Sequence, residues 1–154
     1  MKRDDQTETA VAERSPRAKL VLYTIAAFIS LAGLADATYL TVKHLTGAIL
    51  VCGGSLDCSK VLGSAYASIG PLPTAGLGAL AYFAAFSCAT LAAFGYPRAQ
   101  TFLTLLVSGM FVATLWLLYL QAFVLHAFCR YCLFSAALTF ILAAIVILCI
   151  PPRS

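Results

Sequence analysis

Four long apolar runs, at about 20–42, 74–94, 101–125 and 127–150, divide the chain. Each reaches the roughly 20 residues that an α-helix needs to cross the hydrocarbon core of a bilayer. The breaks between them carry the residues that stop helices: Gly95, Tyr96, Pro97 and Arg98 separate the second run from the third, and Pro151 and Pro152 follow the fourth. Positions 1–18 are polar, carry both signs and contain Pro16, a composition that predicts a disordered cytoplasmic tail. A cleaved signal peptide has a shorter apolar stretch followed by small residues, so the first run reads as an uncleaved span. The pattern predicts an all-α membrane protein, a four-transmembrane-helix bundle over 19–150, with a short cytoplasmic tail at 151–154.

The segment 43–73 exceeds the roughly 12 to 15 residues beyond which a loop is usually functional or disordered. Within 59–69, Val61, Leu62, Ala65, Tyr66 and Ile69 form an apolar stripe at helical spacing. It predicts a short half-helix lying on the membrane surface and capping the bundle.

Composition agrees with lipid as the solvent, since hydrophobic residues make up 62% of the 154 positions and charged residues only 10%, against roughly 25% in soluble domains. The net charge of +4 does not imply a nucleic-acid partner. Nine of the sixteen charges fall in the first nineteen positions, where five basic and four acidic side chains nearly cancel, and the rest are scattered. Charge bears instead on topology, because cytoplasmic loops retain Lys and Arg. Arg14, Arg17, Lys19, Arg98 and Arg153 fall on one side of the predicted bundle and Lys43, Lys60 and Arg130 on the other. This bias puts both termini in the cytoplasm and the 43–73 loop outside it.

That topology brings four cysteines to one oxidising, extracytoplasmic face. Cys129 and Cys132 form a CxxC at the start of the fourth span, where sulfurs three residues apart share a helix face and can close a disulfide after slight distortion. The unpaired N–H groups of a first helical turn favour thiolate. Cys52 and Cys58 lie in the loop, where Gly53 and Gly54 let the backbone fold back on itself. Read separately, the CxxC is also compatible with a zinc half-site or a staple, and the loop pair with a structural bridge. Two pairs on one face suit stepwise thiol-disulfide exchange toward a lipid-soluble electron acceptor.

The string Cys58-Ser59-Lys60-Val61-Leu62-Gly63-Ser64, with Cys52 six residues earlier and Gly70-Pro71-Leu72-Pro73 after it, resembles the vitamin K epoxide reductase family. Cys129-Arg130-Tyr131-Cys132-Leu133-Phe134-Ser135-Ala136 resembles its bacterial branch. The resemblance covers about 20–150. It implies a four-helix bundle around a quinone, ubiquinone, menaquinone or a relative, as electron acceptor. It also implies an order: a thioredoxin-like partner attacks Cys52, the released Cys58 attacks Cys129, and Cys132 reduces the quinone. Ser64 matches the family's pocket serine. The animal enzymes that reduce the epoxide carry an asparagine and a tyrosine at positions that here are Thr74 and Ala136. Many bacterial members also carry a fused thioredoxin-like domain, which this chain is too short to hold, so the resemblance implies a separate thioredoxin-like (DsbA-like) periplasmic partner. The expected location is a bacterial inner membrane.

Asp36, near the outward end of the first span, is costly in lipid. It reads either as a proton-handling group beside the quinone or as a snorkelling carboxylate paired with Lys43. His44 and His126 sit at expected membrane boundaries with no ligand neighbour at metal-binding spacing, and no metal site is expected. Cys88 and Cys149, inside spans, read as small apolar residues. The function expected is a membrane thiol:quinone oxidoreductase that drives disulfide formation in exported proteins. The rival is a disulfide-stapled or zinc-binding scaffold with no redox turnover.

Overall fold

The computed structural model describes residues 16–47, 60 and 63–149. Four helices dominate it: α1 (Pro16–Leu45), α2 (Thr74–Ala93), α3 (Pro97–Tyr119) and α4 (Arg130–Cys149). All four are long and apolar enough to cross a membrane, α3 together with the turn that extends it to Val124. Their outer surfaces carry large apolar side chains such as Phe28, Leu80, Phe102 and Ile147, which in water would be a liability and in lipid are the solvated state.

The bundle is a ring in which each helix packs against its neighbours in sequence and α4 returns against α1. Lipid removes most of the hydrophobic drive for helix association, so close backbone approach through small residues takes its place. Between the buried Tyr23 and Leu40, the buried face of α1 is made of small residues, Ala26, Ser30, Gly33 and Ala37, and α1 packs against α2, whose buried face carries Ala85, Ala89 and Ala92. Tyr82 is the large buried residue of α2. Its ring packs against Gly33, where a Cβ would clash with the ring atoms. Its hydroxyl reaches α4, donating to the Ser135 carbonyl at 2.9 Å and lying 2.9 and 3.0 Å from the Ser135 and Thr139 hydroxyls.

The turn from α2 to α3 is fixed by its sequence. Gly95 takes φ +92, the N–H of Gly95 bonds Ala92 and that of Tyr96 bonds Leu91, the paired closure of a Schellman motif. Pro97 then opens α3, where its missing N–H is harmless.

Before α2 the chain departs from the expected half-helix. Residues Ala65–Ala67 make a single 3₁₀ turn, and β1 (Ser68–Ile69) pairs antiparallel with β2 (Leu72–Pro73), Ile69 opposite Leu72. Gly70 at φ +64 supplies the first position of the two-residue loop and Pro71 the second. A helix could not continue through that pair, because Pro71 and Pro73 lack N–H donors. Of the N-terminal part of the expected half-helix, Lys60 is helical, and Ser59, Val61 and Leu62 lie outside the described residues.

Candidate redox site and its cavity

The site forms at the end of the bundle where the 63–73 segment and the α3–α4 connection meet. Cys129 is the residue before α4, and its carbonyl accepts the Leu133 N–H at 3.0 Å, so it occupies the cap position of that helix. Its sulfur accepts the backbone N–H groups of Tyr131 and Cys132, the role a serine or aspartate oxygen plays at an ordinary helix start. Both cysteines are thiols here. Cys129 is fully buried, with Leu40 and Ala127 around it.

The Cys129 thiol is pushed below its ordinary value. The hydrogen bond from the Cys132 thiol is the main cause and the two backbone N–H groups add to it, whereas burial and the charge of Asp36 act in the opposite sense. The charge-bearing sulfur of the reduced pair is thus the one at the helix start.

Cys132, one turn further, forms part of the wall of a cavity of about 140 Å³. Ala37 and Leu40 of α1, Ala75 and Gly78 of α2, Leu117 and Leu118 of α3 and Ala136 of α4 make most of that wall apolar. Ser64, Tyr66 and Ala67 also border it. Thr74 pins this segment to the start of α2 by donating to the Tyr66 carbonyl at 3.1 Å. An apolar cleft with a few polar groups and a thiol in its wall suits a flat aromatic ring bearing carbonyl oxygens.

Of the residues singled out from sequence, Cys132, Ser64, Thr74 and Ala136 all border this one cavity, with Cys129 immediately behind Cys132. Cys52 and Cys58 lie outside the described residues. Asp36 does not border the cavity, although the next residue, Ala37, does. One carboxylate oxygen of Asp36 is buried with no hydrogen-bond partner. The expected pairing with Lys43 is not made; Lys43 lies 5.6 Å over the Tyr39 ring instead, and Tyr39 packs on Tyr131 of the CxxC at 5.5 Å. His126 stands in the α3–α4 connection at φ 47. Cys88 and Cys149 pack with the main core, away from this cavity.

Sequence reading passed over Gln121 and Thr114, which also border the cavity. A carboxamide inside an apolar span was itself a signal, since lipid tolerates one only with partners. Gln121 is only 4% exposed, and its side-chain oxygen accepts the Cys129 N–H at 3.3 Å.

A family model described as "Vitamin K epoxide reductase family" matches residues 24–147, most of the chain and all of this site's described residues. No individual curated protein matches the sequence.

Proposed function

The chain belongs to the vitamin K epoxide reductase family, and so is an integral membrane oxidoreductase; from that premise we propose that it is a thiol:quinone oxidoreductase that makes disulfides for exported proteins. The observation that carries this reading is Cys132 in the wall of an apolar cavity, with a buried, helix-capping Cys129 hydrogen-bonded to it.

In the proposed relay, a thiolate of a separate thioredoxin-like protein attacks Cys52 of a Cys52–Cys58 disulfide and releases Cys58. Cys58 then attacks Cys129 of a Cys129–Cys132 disulfide and releases Cys132. The partner's second thiol displaces Cys52 from the mixed disulfide, and Cys52 attacks Cys58, which restores the Cys52–Cys58 disulfide and releases Cys129, so that the CxxC pair is left as a dithiol. Each exchange breaks one S–S bond and forms another, so sulfur is neither gained nor lost. Reoxidation of the Cys129–Cys132 dithiol breaks two S–H bonds, forms one S–S bond and gives up two electrons and two protons. A bound quinone supplies an acceptor for both. Cys132 would stand against its ring, with Ser64, Thr114 and Gln121 as the polar neighbours and the apolar wall excluding water. Asp36, through its unpartnered oxygen, is the candidate to take a thiol proton.

The basic residues Arg14, Arg17, Lys19, Arg98 and Arg153 support a cytoplasmic location for both termini. The cysteines then face an oxidising compartment such as the bacterial periplasm, where this chemistry is useful. A static scaffold gains nothing from a free thiol lining a cavity.

The test is turnover by the purified protein with a reduced thioredoxin-like substrate and a soluble quinone. Quinone-dependent oxidation of the substrate is expected for the wild type, and Cys132→Ser is expected to fall to background. Full activity in Cys132→Ser contradicts the assignment.

A further inference from the structure

Gln121 is the only carboxamide between positions 101 and 149, and in an apolar interior both ends of such a group need partners. Its oxygen end is accounted for by the Cys129 N–H. Because that partner is a donor, the oxygen must face it, and the NH₂ group is left on the other side of the amide. Gln121 borders the cavity, and its nitrogen is not among the fully buried, unpartnered atoms.

The local backbone explains how the side chain comes to be there. After α3 the chain widens into one π-helical turn, Leu120–Val124, in which the Leu125 N–H reaches back to the Leu120 carbonyl at 2.8 Å. The Ala127 N–H then bonds the Gln121 carbonyl at 3.1 Å. A single wide turn of this kind shifts the helix face by about one residue and recurs at functional sites. Here the shifted face includes Gln121 and leaves its amide between α4 and the cavity.

We propose that Gln121 is a positioning residue with two tasks. Its carbonyl holds the Cys129 backbone at the start of α4, and its NH₂ donates a hydrogen bond to a carbonyl oxygen of the electron acceptor in the cavity. One side chain then indexes the acceptor against the redox pair. This deepens, and rests on, the quinone reading above.

The experiment measures binding without turnover, on the full chain in detergent and in a Cys132→Ser background. The probe is duroquinone, whose fully methylated ring resists thiol addition. Saturable quenching of Trp116, the only tryptophan, reports its binding. Durene, the same ring without carbonyls, is the competitor that reports shape alone. Gln121→Met, of similar volume, and Gln121→Asn, too short to serve both partners, are each expected to weaken duroquinone binding roughly three- to tenfold, the loss of about one hydrogen bond. Durene affinity is expected to stay within about twofold of the parent. Equal losses for the two ligands overturn the donor role and leave Gln121 merely structural, as does unchanged duroquinone binding in both variants. If the parent itself shows no saturable duroquinone binding, the quinone reading fails and takes the donor role with it. That outcome is distinct from a parent that binds and variants that match it.

Discussion

At the scale of single residues, the bundle sets one glycine against one tyrosine. Tyr82 can reach across to Ser135 and Thr139 of α4 only because Gly33 of α1 offers no Cβ to its ring. Gly33→Ala is therefore an overpacking change, expected to destabilise by about 1–3 kcal/mol. Tyr82→Phe keeps the ring and removes only an interhelical hydrogen bond, expected to be worth about 0.6 kcal/mol in a membrane bundle. Thermal unfolding in detergent ranks the two, and a larger loss for Tyr82→Phe contradicts this packing account. The CxxC pair allows a second comparison. Since the Cys132 thiol is the main cause of the lowered Cys129 pKa, removing that donor must move thiolate formation at Cys129 to higher pH. Cys132→Ala is expected to shift the midpoint upward, and Cys132→Ser, which keeps an O–H donor, to shift it less. Ultraviolet thiolate absorbance against pH, with Cys52 and Cys58 replaced by serine, measures both. An unmoved midpoint in Cys132→Ala contradicts the assigned cause.

At the scale of elements, the helices were the legible part, because lipid demands about 20 consecutive apolar residues and no other pattern meets that demand. Helix ends were legible where proline and glycine act locally, as at Gly95 and Pro97, although α1 begins at Pro16, inside the polar segment read as a tail. The half-helix over 59–69 agrees with a helical Lys60 but was misread over Ala65–Ile69 for a physical reason. The stripe of Ala65, Tyr66 and Ile69 also satisfies a 3₁₀ turn followed by a hairpin, and Gly70-Pro71 decides between them. The π turn at Leu120–Val124 left no periodic trace, because it adds a single residue to an apolar run. Its continuation does leave a testable mark. His126 adopts a left-handed backbone, which costs a non-glycine residue roughly 1–2 kcal/mol. His126→Gly is expected to be neutral or stabilising by up to about 1 kcal/mol, and β-branched His126→Val to lower stability by a similar amount. Thermal midpoints of the two variants check this, and a more stable His126→Val contradicts it.

At the scale of the whole molecule, up-and-down connection of four helices brings the 63–73 segment and the α3–α4 connection to one end, where the cavity opens beside Cys132. Much of the candidate site could be named from sequence, because Cys129 and Cys132 are three residues apart, Ser64 lies in a string that resembles the family, and Thr74 and Ala136 stand where the animal enzymes of that family carry other residues. The cavity itself could not be named, since it is made by side chains from all four helices whose rotation about their axes is set by packing, not by local pattern. Asp36 shows the same limit: sequence marked it as costly, and packing decided that it is buried close enough to act on Cys129 electrostatically without lining the cavity. The central claim joins this end of the bundle to Cys52 and Cys58 through one ordered relay. Its most direct test is peptide mapping, without reductant, of the full chain carrying Cys132→Ser. The relay predicts a trapped disulfide between Cys58 and Cys129, and a Cys129 found unlinked, with Cys52 and Cys58 bonded only to each other, contradicts it.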